Sequence, residues 1–173
     1  MSFLSARPAA ADTRPSGRRA PLVRVPTLDC ALQNVLGYQR GKSKPISVVR
    51  IDGRPVEQAT ANAYWAMREA AARDGIALDI RSGFRTHAQQ EYLYGCYESC
   101  SCNGCTLAAK PGFSNHQSGR ALDLKVREEG TFAWLVANAA RFGFVATVKN
   151  EPWHWEYRGR ESFADVCGEQ AST

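Results

Sequence analysis

Between Val56 and Asp74 the chain reads VEQATANAYWAMREAAARD, rich in helix formers with apolar residues three and four positions apart, and Gly75 follows as a left-handed stop. This spacing predicts a helix over 56–74. IALDIRSGF, residues 76–84, then alternates apolar and polar positions as a half-buried strand does and breaks at Ser82 and Gly83. Thr86 has an N-cap side chain, which predicts a second helix from there to about Tyr94. A cysteine-dense stretch follows, and LAAKPGFSNHQSG, residues 107–119, has the Pro, Gly, Ser and Asn content of irregular backbone.

RALDLKV reads as a strand over 120–126, and TFAWLVANAARF repeats apolar positions at helical spacing over 131–142 before Gly143. Two short strands, FVATV at 144–148 and WHWEY at 153–157, complete the pattern. Strands and helices are not in strict β-α-β alternation. The fold class expected is therefore α+β, a small, mainly antiparallel sheet with packed helices. Residues 1–27 mix Pro, Arg, Ala and Ser without periodicity and read as a tail or linker, which leaves 28–173 as a single domain.

Composition narrows the class further. A chain of 173 residues with 44% hydrophobic and 23% charged positions suits one packed domain. No run approaches the roughly 18 apolar residues that a membrane span needs. The first residues lack the charged start and apolar stretch of a secretory signal, so an export route is not visible. The net charge of +5 favours polyanionic surroundings such as an acidic cell wall. Without a Lys/Arg tract or zinc-finger spacing, nucleic acid is not an expected partner.

The six cysteines are Cys30, Cys96, Cys100, Cys102, Cys105 and Cys167, four of them within YGCYESCSCNGC. An even count without repeated CxxC knuckles favours disulfides over a thiolate zinc site, with Cys30 and Cys167 as natural long-range partners. That points to a periplasmic or extracellular workplace.

The candidate chemistry gathers around two of only three histidines. These lie in SNHQSGRALD (114–123) and EPWHWE (151–156), segments dense with other ligand-type residues. A catalytic zinc takes three His or carboxylate ligands and keeps a fourth position open for water. His116, Asp123 and His154 would supply that set for one zinc ion. Hydrolysis also needs a base, and two glutamates are available. Glu151 can approach the metal without ligating it because Pro152 breaks regular strand pairing between them. Glu156, on a regular strand, would point to the same side as His154 and is the rival base. Arg85, in the bend after the SGF break, is placed to hold a carboxylate or an oxyanion. Taken singly, each residue also suits a plainer role: a packed His beside Trp153 and Trp155, a paired Asp, an Arg capping a turn. His87 reads as an exposed first-turn residue.

Together these residues match a pattern. The chain resembles the VanY-like D-alanyl-D-alanine carboxypeptidases, whose relatives include D-Ala-D-Ala dipeptidases and phage L-alanyl-D-glutamate endolysins. The signature SxHxxGxAxD is filled by Ser114, His116, Gly119, Ala121 and Asp123, and ExxH by Glu151 and His154. An SGYR-type element with a following Gln is filled by Ser82, Gly83, Phe84, Arg85 and Gln90. The resemblance implies the small Hedgehog-type fold, one catalytic zinc, Glu151 as base, and peptidoglycan stem peptides as substrate. By the same resemblance Arg85 binds substrate or stabilises the transition state, with Gln90, Ser114 and Trp153 as further substrate-binding candidates. The expected activity is a monomeric zinc D,D-carboxypeptidase. An endopeptidase or endolysin, a delivered cell-wall toxin, and a non-catalytic zinc-containing wall-binding module are the alternatives. Glu156 and the cysteine-rich insertion depart from the common pattern, and the insertion is expected to rim the cleft.

Overall fold

The computed structural model describes residues 26–127, 130–159 and 162–168. The tail read at 1–27 thus lies outside the described residues, apart from Pro26 and Thr27. The chain opens with a meander of β1 (Leu28–Gln39), β2 (Lys42–Ile51) and β3 (Arg54–Glu57), paired antiparallel in that order. No apolar alternation before residue 56 predicts these three strands. Its turns are two-residue loops, Arg40-Gly41 and Asp52-Gly53, with φ positive at all four positions, the geometry that matches hairpin twist.

α1 (Gln58–Arg73) follows β3 directly and starts two residues later than its apolar spacing suggests, because Val56 and Glu57 pair with Val49 and Val48. Glu57 instead caps the helix, accepting from the Thr60 amide at 3.0 Å. β4 is confined to Ile80–Ser82, shorter than the 76–84 expected. α2 (His87–Ser99) has the Thr86 cap, with Gln89 completing a reciprocal capping box, and runs past Tyr94 to Ser99. Then come β5 (Ala121–Leu124), α3 (Thr131–Asn138), β6 (Phe144–Ala146) and β7 (His154–Tyr157). α3 tightens into a 3-10 turn over Ala139–Phe142 before Gly143. The four short strands form a second antiparallel sheet in the order β4-β5-β7-β6.

β2 explains how the two sheets share an interior. Val49 and Ile51 face the main core, where α1 contributes Tyr64 and Met67, β5 Leu122 and Leu124, and β7 Trp155. Ile46 and Val48 face the other way, onto Phe84 in a smaller cluster. A strand covered on both faces loses the alternation that marks a half-buried one. Among the described residues no helix is long and apolar enough to cross a membrane.

All six cysteines are paired: Cys30 with Cys167, Cys96 with Cys102, and Cys100 with Cys105. The first joins β1 to a segment 137 residues later, and Cys167 packs against the main core. Replacing Cys30 and Cys167 together by Ser is expected to lower stability by about 2–4 kcal/mol, read as a lower midpoint in denaturant unfolding.

Candidate metal centre and cleft

Asp123 and His154 face each other directly across the β5–β7 ladder. His116 comes from the 3-10 turn Asn115–Ser118 just before β5. The three side chains bring one ligand atom each to within 4.8 Å of one another. His116 Nε2 stands 3.4 Å and His154 Nδ1 3.1 Å from Asp123 Oδ1. The structure therefore brings together the three residues whose spacing suggested a metal site.

Both imidazoles are held from behind. Nδ1 of His116 donates to the Gly83 carbonyl at 2.8 Å, which turns Nε2 toward Asp123. His154 is turned the other way, with Nδ1 toward Asp123 and Nε2 3.4 Å from Glu156 Oε1. Two motif glycines make this packing possible. A Cβ at Gly83 would lie 2.3 Å from the Pro55 carbonyl oxygen, and one at Gly119, where φ is +78°, would lie 2.5 Å from Glu57 Cβ. The segment after β4 also clasps the turn itself, since the Arg85 amide donates to the His116 carbonyl at 3.1 Å.

The electrostatics follow from this enclosure. Burial acts to raise the Asp123 pKa, but hydrogen bonds and charge from His116 and His154 outweigh it and hold the carboxyl far below the usual range. Burial likewise acts to lower the pKa of His154, yet Asp123 and Glu156 push it up to about 9. Glu156 falls to about 2, where burial is outweighed by hydrogen bonds from His154, Thr147, Arg158 and Asn115.

The three side chains open into a cleft of about 500 Å³ that also contains Glu151, Arg85, Ser114 and Trp153. Glu151 lies just ahead of β7, its carbonyl accepting from the His154 amide at 3.0 Å. Arg85 Nη1 donates to Gln90 Oε1 at 2.8 Å. Burial lowers the Arg85 pKa, opposed by the charge of Asp123. Gln90 is fully buried and its amide donates to the Ala109 carbonyl at 2.7 Å, so it meets the cleft through Arg85 and not by its own surface. Asn103, Thr106 and Leu107 of the cysteine-rich insertion form part of the wall, as expected for a rim. His87 is beside Glu91 at 3.2 Å, outside the cleft lining. The sequence reading missed Asn115, which bonds Glu156 at 2.5 Å across 41 residues; no local pattern signals such a contact.

Residues 53–160 match the family model described as VanY, D-alanyl-D-alanine carboxypeptidase. The chain belongs to this family. Within the VanY family, a D-alanyl-D-alanine carboxypeptidase of Enterococcus faecalis is 33% identical over 124 residues, covering 57% of this chain and 46% of the relative. Another from Enterococcus faecium is 28% identical over 115 residues, covering 57% of this chain and 36% of the relative. The chain thus spans less than half the length of these curated relatives. Among solved structures, a vancomycin-resistance D,D-pentapeptidase VanY in complex with Zn(II) aligns with a TM-score of 0.55 at 23% identity, covering 72% of this chain and 87% of that one. The LD-carboxypeptidase LdcB aligns at 0.53 and 28% identity, covering 62% of this chain and 61% of that one. These likenesses bear out the small α+β fold.

His154 gives the metal-free protein a distinctive pH dependence. Its folded pKa near 9 lies above its unfolded value near 6.5, so its stabilisation is complete below 6.5 and lost as pH rises through 9. With chelator present, Tm is expected to fall between those pH values. His154→Ala should flatten that slope; an equal slope in the variant would assign the effect elsewhere.

Proposed function

We propose that this VanY-family chain is a zinc peptidase of peptidoglycan stem peptides, acting as a D,D-carboxypeptidase that removes the terminal D-alanine. The observation that carries this reading is the convergence of His116, Asp123 and His154 in one cleft with Glu151 and Arg85. The donor set fits the metal: two imidazole nitrogens and a carboxylate oxygen, with His116 held from behind by the Gly83 carbonyl, match a three-ligand catalytic zinc with one open position. The names of the enterococcal relatives support the substrate class. Three disulfides support a workplace outside the reducing cytoplasm.

His116, Asp123 and His154 would hold the zinc, which when bound lowers the pKa of water toward neutrality and polarises a carbonyl. Glu151 takes the proton from the attacking water and returns it to the leaving amine. Arg85, fixed by Gln90, offers its remaining N–H groups to the substrate's terminal carboxylate. Ser114 and Trp153 line the cleft against the peptide, and Trp153 offers it an apolar face. A second reading, removal of a terminal D-alanine that follows an L-centre, is favoured by the likeness to LdcB.

Mass spectrometry of defined pentapeptide and tetrapeptide stems, with and without chelator, tests both. Loss of one alanine from the pentapeptide, stopped by chelator, is the expected result. Loss from the tetrapeptide alone would select the second reading, larger fragments from intact wall would mean an endopeptidase, and no cleavage with zinc bound would leave a binding module. Glu151→Gln is expected to lower kcat by about 10²–10⁴-fold with zinc retained. Arg85→Ala should cost about 10- to 100-fold in kcat/KM, the worth of a charged hydrogen bond.

A further inference from the structure

The proposed hydrolysis gives no role to Glu156, yet few carboxylates in the molecule are more heavily engaged. Its residue is only 5% exposed. Asn115 Nδ2 donates to Oε1 at 2.5 Å, and the Thr147 hydroxyl donates to the same oxygen. Arg158 holds Oε2 through Nε and Nη2 at 3.3 and 3.1 Å. The remaining approach to Oε1, at 3.4 Å, belongs to Nε2 of His154. These donors come from the His116 turn, the β6–β7 connection and the end of β7, so the carboxylate is tied in place from three directions. It also borders a different cavity from Glu151. Glu156 lies with Asn115, Arg120 and Arg158 behind His154, while Glu151 lies in the cleft before it.

We infer that Glu156 is a positioning residue that accepts the Nε2 proton of His154 and thereby fixes the tautomer that turns Nδ1 toward Asp123. This rests on the zinc reading above. Without that acceptor, either ring nitrogen can carry the proton and the ring can rotate. An immobile charged acceptor holds the ring in place and keeps the proton on Nε2 when Nδ1 gives up its own to bind the metal. The pinning by Asn115, Thr147 and Arg158 also keeps the carboxylate from reaching the cleft as a base. Gly83 does the same for His116 from the opposite side, but through a neutral carbonyl.

The test uses the full chain with Glu156→Ala and Glu156→Gln, read by zinc competition against a chromophoric chelator and by NMR of ¹⁵N-histidine. Only three histidines need assigning. The zinc-loaded parent should show a protected proton on His154 Nε2. Glu156→Ala should lose that protection and bind zinc about 10- to 100-fold more weakly. Glu156→Gln retains an oxygen acceptor of the same reach and should recover the protected proton and most of the affinity. At saturating zinc its kcat should exceed that of Glu151→Gln.

A His154 proton on Nδ1 in the zinc-loaded parent, or unchanged zinc affinity in Glu156→Ala, would overturn the inference. So would a Glu156→Gln protein with normal zinc affinity and no hydrolysis, which would make Glu156 the base. If the parent binds zinc but cuts no stem peptide, the peptidase reading fails while the affinity and NMR results still decide the role of Glu156.

Discussion

The register of β5 against β7 sets the position of nearly everything that the centre needs. With Asp123 opposite His154 and Leu122 opposite Trp155, each strand sends one face to the core and the other to the cleft side. On β7, His154 and Glu156 share the polar face while Trp155 and Tyr157 share the apolar one. A slip of one residue would place Asp123 against the core and Leu122 in the cleft, so burying Trp155, Leu122 and Leu124 enforces the alignment of the metal-type side chains. The polar face is itself enclosed. Two imidazoles and two carboxylates held almost out of water are tolerable only because each finds an oppositely charged or hydrogen-bonding partner.

His116 is the candidate ligand that this ladder does not carry, and the N-terminal meander supplies what the ladder lacks. β1 passes so close over the His116 turn that a Cβ at Gly37 would lie 3.0 Å from the Gln117 carbonyl oxygen. The Gly112 amide donates to Gln117 Oε1 at 2.7 Å, and the Gly41 amide donates to the Gly112 carbonyl at 2.9 Å. The turn is thus gripped by β1 and its hairpin on one side and by the segment after β4 on the other. Its glycines are sites where backbone approaches backbone or packed side chains.

The cysteine-rich insertion plays a comparable part on the substrate side. Two disulfides compact residues 96–105, and the chain leaving them presents Ala109 to Gln90, which holds Arg85. The proposed carboxylate-binding arginine is therefore anchored to the wall of its own cleft through one buried amide.

The sequence by itself determined that there are three helices, because their apolar spacing and caps are local: Thr86 with Gln89, the run from Val56 to Asp74 within which α1 forms, and the stop at Gly143. It also pointed to the candidate metal set, since His116, Asp123 and His154, with Glu151 as the candidate base, sit in short motifs whose spacing is legible without a fold. Only the tertiary structure decided the rest. The β1–β3 meander escaped notice because β2 is covered on both faces and β1 is largely exposed, so neither shows alternation, although Asp52-Gly53 was an available turn signal. The tie between Gln90 and Ala109, the pairing among the four loop cysteines and the attachment of Glu156 to His154, Asn115, Thr147 and Arg158 were set by the fold; of the disulfides, only Cys30–Cys167 was anticipated by the sequence. A hydrogen bond across 41 residues depends on strand register and burial, and no window along the chain contains either.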